Sequence, residues 1–233
     1  PYQSEHVVVE ADGTQIALQR EKSRRAEAKI LLAFTERKDH KLMNRVVYAS
    51  VEPAEVFNQK ASELIRRKYL VDLNTKGVVI GDGASWIESL RDEYFPQMRL
   101  QLDLTHVLRR AHEFLSHLGS EELNSAMKSI ILAINTGEWN LFRDTLVKAR
   151  EGLPRSDAFW DWMVFVRRRW KHLIGFRDYF GPLAERTSSP CEKYVDLLIT
   201  RRLKISGASW SVKGANNMLK VRNYFFNKED DHS

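Results

Sequence analysis

Three acidic residues stand where a short apolar run gives way to a turn or a helix. Val7-Val8-Val9-Glu10-Ala11-Asp12 is followed by Gly13, Val78-Val79-Ile80-Gly81-Asp82 by Gly83, and Leu100-Gln101-Leu102-Asp103 by a helical pattern. A carboxylate at a strand end suits a hard cation, because Mg2+ prefers oxygen ligands and keeps several waters. If the strands ending in Asp12 and Asp82 are neighbours, both carboxylates emerge at one edge. Two ions about 3.5–4 Å apart would then clamp a phosphodiester, one activating the attacking water or 3′-hydroxyl and the other stabilising the leaving oxygen. Each acid also has a plain structural reading. Asp12-Gly13 is a common hairpin dipeptide, and Asp82 can cap a helix starting at Ala84. Glu10 shares the strand face of Asp12 and is a spare ligand.

A further acid, Glu192, has two readings that stay open. Ser189-x-x-Glu192 with Pro190 at the first helical position matches a capping box. Glu192 is also in line with Val195 and Ile199, on the stripe that faces the sheet, where a carboxylate needs a partner or a metal. Glu185 is the reserve choice. Asp103 and His106, at i and i+3, can share one face of a first helical turn. The alternative is an Asp N-cap followed by an ordinary helix histidine.

Elements of both kinds must position these residues. The run His6 to Asp12 reads as a strand ending in a hairpin turn, Thr14 to Arg20 as its alternating partner, and Glu21 to Glu27 as a solvated hairpin end. Lys29 to Phe34 and Arg45 to Ala49 are further strands. Pro53 opens a helix with Ala54, Phe57, Ala61, Leu64 and Ile65 on its apolar stripe. Gly77–Gly81 is a short apolar strand, followed by a helix bearing Ile87, Leu90 and Tyr94, and then by the strand Met98 to Leu102. From Thr105 to Arg186 every pattern is helical. A closing helix begins near Ser189-Pro190 and stops at Gly207. The expected architecture is α/β, a mixed sheet with flanking helices and an all-helical insertion before the closing helix. Its parts are a core over 1–104, the insertion over 105–187, the closing helix and C-terminal part of the core over 188–226, and a disordered tail over 227–233.

The 233 residues carry a formal net charge of +6 and are 43% hydrophobic, enough for a sizeable core and a polyanionic partner. One cysteine, Cys191, excludes a disulfide framework and a Cys-rich zinc site within the chain. No apolar run approaches the ~20 residues that span a bilayer, and no segment reads as a signal peptide. The start at Pro1 rather than methionine reads as a fragment or a processed chain. Arg167-Arg168-Arg169-Trp170-Lys171 is the densest basic run, with arginines suited to phosphates. Phe159, Trp162, Val166 and Trp170 form a stripe better suited to a core. Arg201, Arg202, Lys204 and Lys213 make a second basic zone after Glu192. Gly81-Asp82-Gly83 lacks the third glycine of a dinucleotide-binding loop.

Five segments in order resemble the Mutator-like superfamily of bacterial insertion-sequence transposases. They are Val9-Glu10-Ala11-Asp12-Gly13-Thr14, Gly81-Asp82-Gly83-Ala84-Ser85-Trp86-Ile87, Leu102-Asp103-Leu104-Thr105-His106, Glu192 with Arg201-Arg202-Leu203-Lys204, and Gly207-Ala208-Ser209-Trp210-Ser211 with Gly214-Ala215. The resemblance implies an RNase H-like fold with a DDE triad on Asp12, Asp82 and Glu192. Asp103 and His106 match the family's Asp/Cys-x-x-His signature beside the site. The implied activity is cleavage at transposon ends and strand transfer with two Mg2+ or Mn2+ ions per site. The implied partners are double-stranded DNA, as transposon ends and target, and further copies of the chain when DNA is bound. The implied setting is the bacterial cytoplasm, at the nucleoid, with no membrane. The N-terminal DNA-binding region of such proteins has no counterpart in the sequence. A non-catalytic, domesticated DNA-binding relative, or an RNase H-like nuclease that cuts without joining, fits the same residues.

Overall fold

The computed structural model describes residues 5–39 and 41–228. Seven strands form within it: β1 (His6–Ala17), β2 (Arg25–Phe34), β3 (Glu36–Lys38), β4 (Lys41–Met43), β5 (Val46–Ser50), β6 (Lys76–Gly81) and β7 (Arg99–Leu102). Five of them make a mixed sheet in the order β5-β2-β1-β6-β7, with β1, β6 and β7 parallel and β2 and β5 antiparallel to their neighbours. The small β3–β4 hairpin, which the sequence pattern did not suggest, stands apart from that sheet.

Both faces of the sheet are covered, which is why its central strands are apolar almost without interruption. Val7, Val9, Leu31 and Val79 pack on α1 (Ala54–Tyr69) and on α2 (Ser85–Ser89), which continues as a π-helical turn over Leu90–Tyr94. Val8, Ile30, Leu32, Val78 and Ile80 face the C-terminal helices. Between the two halves lies an all-helical block: α3 (Leu104–Leu115), α4 (Ser120–Thr136), α5 (Trp139–Lys148), α6 (Asp157–Arg168) and α7 (Trp170–Ile174). It has its own core, in which Phe159, Val166 and Trp170 are buried with Val107, Ile134 and Phe142. The aromatic stripe is therefore packing. The C-terminal part is α8 (Ser189–Tyr194), a π-helical turn (Val195–Thr200), α9 (Arg201–Leu203) and α10 (Val212–Lys228).

Several expectations need correcting. Asp12-Gly13 is not a turn: β1 runs straight through it, with Asp12 opposite Ile30 and Gly13 opposite Lys29. Gly13 lacks the positive φ that a hairpin of that type requires; instead a Cβ there would meet the Glu27 carboxylate. The hairpin turn lies between Ala17 and Arg25. Pro53 is the residue before α1, not its first residue. The Ser189–Glu192 capping box does not form: Ser188 precedes the helix, and the Ser189 hydroxyl donates to Thr187. The boundary expected at 227 falls inside α10, and residues 229–233 of the expected tail lie outside the described residues.

The helix α10 closes the open side of the sheet. β5 is an edge strand, and three asparagines one or two turns apart on α10 bond to its backbone. The Asn223 amide accepts from Ala49 N and donates to Ala49 O, both at 2.9 Å. Asn227 does the same to Val47 at 2.8 Å, and Asn216 accepts from Val51 N at 2.9 Å. An edge that would otherwise offer itself to another chain is thereby satisfied.

Candidate functional site

The strand register brings the acids into a row. Glu10 pairs with Ile80, so two residues further Asp12 stands level with Asp82. Gly81 pairs with Leu102, and Asp103 N donates to Gly81 O at 2.8 Å. Asp12, Asp82 and Asp103 therefore mark one edge of the three parallel strands. Asp12 sits where β6 has ended and β1 continues against β2 alone. The glycines on either side of Asp82 let neighbouring side chains approach its backbone closely. Gly83 has φ +87°, and a Cβ there would meet Phe165 at 2.7 Å; at Gly81 it would meet Ile87 at 2.6 Å.

Asp82 Oδ1 accepts from Ala84 N at 2.9 Å, a side-chain turn rather than a cap of α2, whose preceding residue is Ala84. Asp12 Oδ1 accepts from its neighbour Gly13 N at 2.7 Å. Burial pushes the Asp12 carboxyl up to about 6; the Gly13 amide and His106 pull it down, while the charges of Asp82 and Glu192 push it up. Asp12, Asp82, Glu192 and His106 thus share one electrostatic neighbourhood. Glu185 acts on Glu10, raising it.

Asp103 is fully buried and combines both of its expected roles. Its Oδ1 caps α3 by accepting from Thr105 N at 2.7 Å, and its Oδ2 lies 2.8 Å from His106 Nδ1. The Ser188 hydroxyl donates to the same Oδ2. Burial alone would raise the Asp103 carboxyl, but the bonds from His106 and Ser188 outweigh it and hold it below the usual value. In return the bond to Asp103 raises His106, against the opposing effect of burial, and Asp12 adds to the rise.

Glu192 projects from α8 with its side chain 36% exposed, and its Oε1 lies 3.8 Å from Arg109 Nη1. Glu10, the spare ligand candidate, is engaged by other groups. Fully buried, it accepts from Cys191 N at 2.8 Å and from Arg37 at 3.2 Å, and Arg37 also pairs with Glu185 at 3.0 Å. Burial pushes Glu10 up to about 8, and the bond from Cys191 N is the main opposing effect. Glu10 ties the first turn of α8 to β1, two residues from Asp12 and beside Glu192.

Sequence reasoning missed Ser188, Arg37 and Arg109. Arg109 was findable, since it follows His106 by three on the same helix face. Arg37 lies in the unforeseen β3–β4 hairpin, and nothing local marks Ser188. The basic residues are dispersed. Arg169 pairs with Glu88 at 2.7 Å and lies against Gly83, and Arg167 stacks over Trp139. Arg168 and Lys171 are exposed at the end of α6 and the start of α7. Arg201 pairs with Asp196 at 2.7 Å, Lys204 Nζ donates to Thr14 Oγ1 at 3.0 Å, and Arg202 and Lys213 are exposed.

Among the described residues no three His, Cys, Asp or Glu side chains stand close enough together to hold a metal ion as they are placed. The kind of donor nevertheless fits a hard divalent cation: Asp12, Asp82 and Glu192 are all oxygen ligands. The Asp12 carboxyl is raised mainly by burial, with smaller contributions from Asp82 and Glu192, and a bound cation would favour its ionised form.

The class of protein is α/β, a five-stranded mixed sheet with flanking helices, with Asp12, Asp82 and Asp103 along one side of its parallel strands. The chain belongs to the uncharacterised protein family UPF0236, whose model matches residues 3–232. No curated protein matches it. Among the described residues no helix is long and apolar enough to cross a membrane.

Proposed function

We propose that the chain is the catalytic domain of a DNA transposase that cuts transposon ends and transfers the new 3′-hydroxyl into target DNA. The observation that carries this reading is the parallel register that sets Asp12 level with Asp82 at one edge of the sheet, with Glu192 on the neighbouring helix α8. The sheet order and the helical block between β7 and α8 are compatible with an RNase H-like fold interrupted before its closing helix.

In this reading Asp12, Asp82 and Glu192 hold Mg2+ or Mn2+. The ions supply charge neutralisation for the nucleophile and the leaving oxygen. The chain's own residues set the frame. Asp103 fixes the His106 ring through Nδ1, leaving Nε2 to carry a proton beside the reacting phosphate. Glu10, through Cys191 N, holds α8 against β1 so that Glu192 stays near Asp12. Arg109 lies beside Glu192 and would compete with a cation held there.

Mn2+ titration by calorimetry tests the assignment. Asp12→Asn and Asp82→Asn are expected to lose binding while circular dichroism stays unchanged, and to lose nicking of supercoiled plasmid. Glu192→Gln is expected to weaken binding at least tenfold, about 1.4 kcal/mol. Equal binding in all four proteins would overturn the reading.

A further inference from the structure

β1 pairs with β6 only over His6–Glu10 but with β2 as far as Ala17, so beyond Asp12 one edge of β1 has no strand partner among the described residues. An open trough of about 400 Å3 lies beside this edge. Gln15, Ile16 and Ala17 with Arg25 form one side, and the segment from Leu203 to Ala208, with Lys204 and Ile205, forms the other. Among the described residues no carboxylate lines it, and a cation stands on each side.

The trough begins where the row of acids ends. Lys204 reaches across to Thr14 Oγ1 at 3.0 Å, and Thr14 follows Asp12 by two on the same strand face. Its far end is the β1–β2 turn, which carries Arg20, Lys22 and Arg24. The turn's acid, Glu21, is engaged: its Oε1 accepts from Val212 N at 3.1 Å. The turn is also anchored, since Trp210 N donates to Ala17 O at 3.1 Å and Gln19 N to Trp210 O at 2.9 Å. From Asp12 to Ala17 the path is about 17 Å at strand rise, or about five nucleotides at the axial spacing of one duplex strand.

We propose that this trough, with Arg25 and Lys204 as its phosphate contacts, carries one strand of the DNA backbone to or from the row of acids. The proposal rests on the transposase reading for the nature of the strand, but it concerns a surface separate from the acids. The occupant is argued from charge: the floor is largely apolar, with Ile16, Leu203 and Ile205, but Arg25 and Lys204 flank it with no carboxylate among the lining residues, and the path leads toward acids suited to phosphodiester chemistry.

The test is fluorescence anisotropy of the full chain with a labelled duplex of about 20 base pairs, in EDTA, over a range of salt. Arg25→Ala and Lys204→Ala are each expected to weaken binding several-fold and to lower the salt slope by about one. Arg67→Ala, an exposed position on α1, serves as the control for net charge and is expected to change neither. Equal loss in all three variants, or no loss at Arg25 and Lys204 in folded protein, would overturn the proposal. So would competition by poly-glutamate as effective as that by unlabelled duplex. The two readings fail separately. Loss of DNA binding in the trough variants, with no metal binding at Asp12 and Asp82, would sink only the catalytic assignment. Metal-dependent cleavage with an unaffected salt slope in the trough variants would sink only the trough.

Discussion

At the residue scale, the two most buried carboxylates near the site behave in opposite ways because their partners differ. Asp103 receives three donors and stays ionised, whereas Glu10 receives two against complete burial and is driven up to about 8. This has a consequence for stability. Glu10 binds its proton more tightly in the folded chain than at its ordinary 4.5, so the folded state holds the extra proton between those values. Stability from this group is therefore full below about 4.5 and falls as pH rises toward 8, by an amount on the order of a few kcal/mol. Urea unfolding at pH 5 and pH 8 is expected to show that fall in the wild type and a smaller one in Glu10→Gln. Equal slopes would mean that Glu10 is ionised in the folded protein.

At the element scale, α10 shows how a helix can satisfy a sheet edge through side chains alone. Asn223→Ala removes both partners of the Ala49 backbone on a buried edge. The expected loss is about 2–4 kcal/mol, read as a lower midpoint in thermal or urea unfolding. The exposed Lys220→Ala, on the same helix, is expected to change stability little. Apolar periodicity alone does not mark α10, because much of what it contributes to the fold is polar. The short strands β3 and β4 were also illegible, since each is three residues long and mostly exposed. The long apolar strands, by contrast, were plain in the sequence, because burial on both faces leaves them little choice of residue. The closing helix was legible as a helix but not as one with a π-helical turn after Glu192, which depends on how it seats on the sheet.

At the scale of the whole molecule, stability and the site are linked. A ligand that binds only the folded chain stabilises it by about 2.7 kcal/mol at a hundredfold excess over its dissociation constant. For a chain of this length that corresponds to a rise of roughly 5–10 °C in Tm. Saturating Mn2+ is expected to raise the Tm of the wild type by this amount and to leave Asp12→Asn unmoved. A shift of equal size in both would place the metal elsewhere.

What the sequence determined by itself was the layered α/β plan, the helical block and the candidate acids, because burial pattern and turn chemistry are local. Asp12 and Asp82 could be named from strand ends, although Asp12 turned out to lie within a longer strand, since a strand loses a neighbour without any local sign. Tertiary structure alone decided which acids share one neighbourhood. It was the parallel register of β1 and β6 that set Asp12 level with Asp82, and the seating of α8 through Glu10 that brought Glu192 near them. Those contacts join residues as much as 181 positions apart, and no local pattern encodes a distance of that kind.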